Sequence, residues 1–162
     1  MLGAAFAACP WWTRWLEQRY TQPELSAGDS RYLSELARDT WRYFEQHVSE
    51  NGLPPDNVQL EPPVGASMRT SPTDTGMYMA SCVAACELGL IGERELLARL
   101  ARTLRSLEKM DKWRGHMYNW VDIQTLEPLS PRYVSTVDSG NLLGCLYLCR
   151  AAMDGIIERN GG

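Results

Sequence analysis

What this sequence lacks narrows it first. It has no basic stripe: 16 lysines and arginines stand against 20 aspartates and glutamates, for a formal net charge of -4. That removes the electrostatic footprint of a nucleic-acid-binding protein, and the acidic excess is too small to imply a cationic partner. A secreted disulfide framework is missing as well, because the five cysteines are an odd number and four of them form i, i+4 pairs, Cys82/Cys86 and Cys145/Cys149, inside apolar helical patterns. Each pair shares a helix face, which permits zinc between two facing helices. Small buried hydrophobes are the simpler reading, and no metal or cofactor is expected. The two histidines, His47 and His116, have no evident nucleophile or metal partner, so packing or surface roles fit them better than catalysis.

Long apolar runs are also absent. Residues 2–9 are small and apolar, Pro10 interrupts them, and Trp11, Trp12 and Trp15 then alternate with Arg14 and Glu17. The run is too short to cross a bilayer, and no basic segment precedes it as in a signal peptide. Tryptophans beside arginine after an apolar segment match the interfacial end of a membrane helix. Residues 1–20 are therefore expected to be the end of a truncated membrane or interfacial segment, with membrane contact there; the alternative is an N-terminal helix packed on the domain by its tryptophans. Residues 21–29, with Pro23, Ser26 and Gly28, read as a linker.

No strand pattern of any length follows, and the remainder reads as all-α. Asp29 or Ser30 can cap a first helix over residues 31–48, with Leu33, Leu36, Ala37, Trp41, Phe44 and Val48 on a buried stripe. Ser71 or Thr73 can cap a second over 74–88, with Pro72 tolerated near the first turn. Its small residues Gly76, Ala80 and Ala84 predict close approach by another helix. Gly89 and Gly92 then punctuate a short turn into a third helix, 93–110, with Leu96, Leu97, Leu100, Leu104 and Leu107 on one face. Its arginines read as a solvated face rather than an anion site. The second and third helices should form an antiparallel hairpin. Asp138 or Ser139 can cap a fourth helix, 140–158, whose Leu142, Leu146, Cys149, Met153 and Ile156 or Ile157 face inward.

The informative stretches lie between the helices. Prolines 54, 55, 62 and 63 forbid a helix through most of residues 50–73. Residues 113–141 carry Trp113, Tyr118, Trp120 and Tyr133 among Arg114, His116, Asn119, Asp122, Arg132, Asp138 and Asn141 without helical or strand periodicity. Long connections of this kind are functional or disordered, and the aromatic content argues against disorder. Saccharides are held by flat aromatic faces together with carboxylate, amide and guanidinium partners for their hydroxyls. If both loops enter their helices at one end of the bundle, Arg69, Thr70, Tyr118, Asn119, Trp120, Asp122, Tyr133, Asp138 and Asn141 gather around one mouth as candidate substrate-binding residues. For Asp138 the competing reading is a helix cap without substrate contact. For Trp113 and Trp120 it is core packing.

Three motifs then carry a resemblance. LPPDNVQLEPPVG at residues 53–65, RTSPTDTGMY at 69–78 and WRGHMYNWVDIQTLEPLSPRYVSTVDSGNL at 113–142 closely resemble the central region of bacterial cyclic beta-1,2-glucan synthases, over roughly residues 30–152. The resemblance implies that residues 30–162 are the N-terminal part of a glucoamylase-like domain, a partial (α/α)6 toroid of antiparallel hairpins with long irregular loops. In that family the region lies between a membrane-embedded glycosyltransferase part and a phosphorylase-like part of a large inner-membrane protein, is associated with the transglycosylation that closes the glucan ring, and resembles endo-beta-1,2-glucanases. The implied partners are a beta-glucan oligosaccharide or polysaccharide and the remainder of the parent chain. This sequence departs from the family pattern at Asp74 and Thr75, where Asn and Ile are more frequent, and at Met117 and Val121. Asp74 would stand in a helix's first turn, where a carboxylate is favourable.

Glycoside chemistry needs two carboxylates across one bond. Asp56, Glu61, Asp122, Glu127 and Asp138 are available, but no motif ties any of them to an acid or nucleophile role. The catalytic glutamates are expected beyond Gly162, leaving this segment inactive alone. The alternative function is a non-catalytic helical scaffold or interaction module, in which the same residues only tie loops to helix ends.

Overall fold

The computed structural model describes residues 10–15 and 24–161. The chain forms two compact units, Met1–Glu35 and Leu36–Gly162. In the first, residues 10–15 are helical, with the Trp12 and Trp15 rings edge to face at 5.8 Å. The expected membrane segment over residues 1–20 lies mostly outside the described residues. Among those described, no helix is long and apolar enough to cross a membrane.

Helix α1, Ala27–His47, begins in the first unit and ends in the second. Its start is set by Ser26, whose hydroxyl accepts from the Asp29 amide at 3.1 Å while the Asp29 carboxylate accepts from the Ser26 amide, also at 3.1 Å. The cap thus falls several residues ahead of the expected one. The expected apolar stripe is buried only in its later part: Trp41 is buried and Phe44 and Val48 pack on the core, whereas Leu33 and Leu36 are exposed.

Helix α2, Pro72–Glu87, follows a full capping box, in which Ser71 and Asp74 each bond the other's backbone amide. It turns through residues 88–92 into α3, Glu93–Lys109, forming the expected antiparallel hairpin. On α3 the buried positions are Leu96, Leu100, Thr103, Ser106 and Leu107, while Leu97 and Leu104 are exposed. The two buried hydroxyls have a task. Thr103 Oγ1 donates to the Gly52 carbonyl at 2.7 Å and Ser106 Oγ to the Asn51 carbonyl at 2.6 Å, so they pin the loop after α1 and satisfy carbonyls that burial would otherwise orphan.

Helix α4, Thr136–Asn160, packs mainly on α2. Ser135 caps it, its hydroxyl accepting from the Asp138 amide at 3.2 Å; the expected caps Asp138 and Ser139 are already inside the helix. Thr73 meets Asp138, Gly76 meets Leu142, and Glu87 meets Arg159, so α2 and α4 run parallel. A Cβ on Gly76 would stand 3.1 Å from Leu142 Cα and 3.2 Å from Cys145 Cβ. A side chain there would have to push α4 away by a few tenths of an ångström, a close approach that the small-residue face of α2 anticipates.

Strands do occur, as six two-residue segments among the described residues: β1 Val58–Gln59 with β2 Gly65–Ala66, β3 Arg69–Thr70 with β6 Val121–Asp122, and β4 Lys112–Trp113 with β5 His116–Met117, all antiparallel. Two residues cannot display a period, so the sequence pattern is silent on them. The β3–β6 pair decides the site, because it clamps the α1–α2 loop to the α3–α4 loop.

Candidate functional site

The β3–β6 register places Arg69 opposite Asp122 and Thr70 opposite Val121. Three backbone bonds extend the clamp: Ile123 to the Met68 carbonyl at 3.0 Å, Asp56 to the Arg69 carbonyl at 2.8 Å and Leu129 to the Trp120 carbonyl at 2.8 Å. Arg69 is thereby held beside Trp120, with its guanidinium 4.2 Å from the ring centroid, while Nη2 donates to Asp56 Oδ2 at 3.0 Å. A cation over an indole face is attracted by the ring quadrupole, so Arg69 is fixed from two sides.

The chain of contacts continues through Asn119, which is buried. Its neighbours set the amide's orientation. The carbonyl oxygen accepts from Trp120 Nε1 at 3.2 Å and from Tyr133 Oη at 2.9 Å, and the amide nitrogen donates to Asp138 Oδ2 at 3.1 Å. Asp138 Oδ1 accepts from Thr73 Oγ1 at 2.6 Å, and Asn141 Nδ2 donates to that same hydroxyl oxygen at 3.0 Å. Arg69, Trp120, Asn119, Tyr133, Asp138 and Asn141 therefore form one connected set at the N-terminal ends of α2 and α4. Asp138 is a junction between three segments rather than the cap of its own helix.

Three expected site residues stand apart from this set for physical reasons. Thr70 is 0% exposed, its hydroxyl 3.3 Å from that of Thr75, so its side chain offers a ligand nothing. Asp122 Oδ1 accepts from the Gln124 and Thr125 amides, each at 2.8 Å, which makes it the organiser of its own turn. Tyr118 is packed on the core, with the Arg132 guanidinium 5.9 Å from its ring centroid. Conversely, Thr73, Asp56 and Asp74 belong to the geometry although residue type alone did not single them out as binding residues. Their positions inside the PPDN and SPTDT motifs carried that signal.

The electrostatics are acidic. Burial pushes the Asp74 carboxyl above its ordinary range; the Ser71 hydroxyl and amide pull it back, and Asp56 and Asp138 push it further up. Tyr43, whose hydroxyl donates to the Pro55 carbonyl at 2.8 Å, is raised by burial and then by Asp74 and Asp56. The Asp74 carboxyl thus feels both Asp56 and Asp138 across this end of the bundle, and the Arg69 guanidinium is paired with Asp56. Among the described residues no group of three or more His, Cys, Asp or Glu side chains stands where it could hold a metal ion.

Helices entered in parallel from paired loops are the sector geometry of an (α/α)6 toroid. The backbone superposes on a beta-1,2-glucanase from Parabacteroides distasonis with a TM-score of 0.68 at 22% identity, covering 82% of this chain and 19% of that one. It superposes on an endo-beta-1,2-glucanase from Chitinophaga pinensis, solved with sophorotriose and glucose, with a TM-score of 0.63 at 19% identity, covering 76% and 31%. At these identities the likeness shows the fold: this is an all-α protein, antiparallel hairpins making part of a glucoamylase-like toroid. The chain belongs to the family described as Protein of unknown function (DUF3131), whose model matches residues 35–141. It is also 42% identical over 156 residues to the cyclic beta-(1,2)-glucan synthase NdvB of Rhizobium meliloti (strain 1021), an alignment covering 93% of this chain. The chain spans 6% of the length of that relative.

Proposed function

We propose that this chain supplies substrate-contacting loops to a site that processes beta-1,2-glucan, and that it works as one sector of a longer carbohydrate-active protein involved in cyclic beta-1,2-glucan synthesis. One observation carries the reading. The Arg69–Trp120–Asn119–Asp138 chain puts an aromatic ring, a guanidinium, an amide and a carboxylate together at the entry of two parallel helices, which is the equipment a saccharide's flat face and hydroxyls require. The identity to a beta-1,2-glucan synthase and the fold shared with two beta-1,2-glucanases support the choice of glucan. The reaction would be the transglycosylation that closes the ring, with the catalytic acid and nucleophile supplied from elsewhere in the parent at the bacterial inner membrane, and with residues 1–20 as the approach to that membrane.

Calorimetric titration of the chain with linear beta-1,2-glucose oligosaccharides, with beta-1,4-linked ones as control, tests this. Binding restricted to the beta-1,2 series and weakened about tenfold by Arg69→Ala is expected; equal or absent binding of both series refutes it. Glucan turnover by the chain alone is expected to be absent, and robust turnover would show that the missing carboxylates are in fact here.

A second reading has its own observation. Asn119, Thr73 and Asp138 satisfy one another, and Asp122 satisfies its own turn, as in a scaffold that only ties loops to helix ends. Substituting Trp120 in the full-length parent separates the two, because unchanged folding with unchanged ring closure favours the scaffold.

A further inference from the structure

Beyond the connected set, the α3–α4 loop holds a cavity of about 330 Å³ lined by Trp113, Tyr118, Arg132, Tyr133 and Val134. Its volume is at the low end for small-molecule sites, about 300–1,000 Å³, which suits one sugar unit rather than a length of chain. No carboxylate lines it. Arg132 brings a forked set of donors able to address two neighbouring hydroxyl oxygens at once.

The backbone spends strain to place one wall. Between the paired residues Trp113 and His116 the turn is Arg114–Gly115, with φ of 49° and 87°. Both central residues are left-handed, the type I′ geometry that a two-residue hairpin favours and that an arginine adopts at a cost. The Arg114 guanidinium lies 4.9 Å from the Trp113 ring centroid, and Trp113 remains 50% exposed. A large indole held half in water on a tight hairpin is not core packing. The opposite wall is shared: Tyr133, itself half-exposed, lines the cavity while its hydroxyl donates to Asn119.

We propose that this cavity is a separate glucose-unit subsite, in which Trp113 and Tyr133 flank the pyranose and Arg132 donates to its hydroxyls, one step along the glucan from the unit addressed by Asn119 and Asp138. The assignment rests on the glucan reading above. It adds Trp113 and Arg132 as binding residues and makes affinity depend on oligosaccharide length, since a short ligand satisfied at the Asn119–Asp138 end leaves the cavity empty.

The test is calorimetry on the whole chain with beta-1,2-linked glucose oligosaccharides of two units and of several, comparing the unsubstituted chain with Trp113→Ala and Arg132→Gln, each checked for an unchanged thermal melt, and with Asn119→Ala, checked for a retained cooperative one. The expected result is that Trp113→Ala and Arg132→Gln each weaken the longer oligosaccharide about tenfold and leave the disaccharide within about twofold, whereas Asn119→Ala weakens both. Arg132→Gln carries the test should Trp113→Ala fail to fold. Unchanged binding of every length by both cavity variants, with Asn119→Ala still defective, overturns the subsite but leaves the glucan reading standing. Equal weakening of both lengths by the cavity variants overturns the separation into two subsites. Absence of binding by the unsubstituted chain overturns the glucan reading itself and this inference with it.

Discussion

Thr73 and Asp138 join the first turns of α2 and α4 through a 2.6 Å hydrogen bond from Oγ1 to Oδ1. Because the other carboxylate oxygen takes the Asn119 amide, one side chain holds two parallel helices and the loop between α3 and α4 in a single arrangement.

Asp138→Ala removes both bonds at once. It leaves the Asn119 nitrogen and the Thr73 hydroxyl without their acceptor in a partly buried place, where an unmet polar group costs about 1–3 kcal/mol. A loss of stability of that order in urea denaturation is expected, with Thr73→Val losing less because the Asn119 bond survives. Equal and negligible effects from both would show that the junction is ornamental.

Gly52 is the corresponding point for the first loop. Its φ is +72°, and a Cβ there would sit 3.0 Å from Arg102 Cγ and 3.1 Å from the Thr103 amide nitrogen. Left-handed backbone costs a residue bearing a Cβ about 1–2 kcal/mol, and the collision is with helix backbone that cannot swing aside. Gly52→Ala is therefore expected to destabilise by about 2–3 kcal/mol, that strain together with about 1 kcal/mol from the lower end of overpacking costs. Thermal denaturation reads this directly, and a neutral result would mean the loop can leave α3 without penalty.

The difference between what was legible in the sequence and what was not follows the range of the interactions. Ser71 and Asp74 cap α2 using residues three apart, so the capping pattern is visible locally, as is the tight approach promised by Gly76. At α4 the sequence points to Asp138 or Ser139, and the cap is Ser135. The choice depends on Thr73, 65 positions away, drawing the Asp138 carboxylate to itself. Thr103 and Ser106 interrupt an apolar stripe on paper, and only the carbonyls of Asn51 and Gly52 explain their burial. The same holds for the candidate site: Trp120 and Asn119 stand out by residue type, but that Thr70 is sealed in and Asp122 occupied by its own turn is decided by how the two loops pair, which two-residue strands do not reveal.

Asp74 makes a pH prediction whose sign can be worked out. Burial, against the pull of Ser71 and with the push of Asp56 and Asp138, raises its pKa from the usual 3.8. An acid that holds its proton more tightly when folded loses stability as pH climbs through the unfolded value, and the loss is complete above the folded one. Asp74→Asn has no proton to release. Relative to the parent, the variant should be least favoured below pH 3.8, gain through the window above it, and then level off. Urea midpoints of both proteins across that range check this, and a constant difference would show that the carboxylate does not titrate in the folded protein as its surroundings require.

The thiols offer a test that also bears on the metal alternative. Cys82 and Cys149 are buried, and burial pushes each up to about 11, with Cys145 adding to the rise at Cys149. At pH 8 a thiol of that kind is thiolate in roughly one molecule in a thousand, and the thiolate is the reactive form. Cys86 and Cys145 are also raised by burial but remain partly exposed. Iodoacetamide on the folded chain, read by peptide mass mapping, should therefore modify Cys86 and Cys145 well before Cys82 and Cys149. Adding a chelator should change nothing, because hydrocarbon packing rather than coordination supplies the protection. Rapid labelling of Cys82 only when a chelator is present would revive a metal between α2 and α4, and rapid labelling without one would mean that the packing around Cys82 is open.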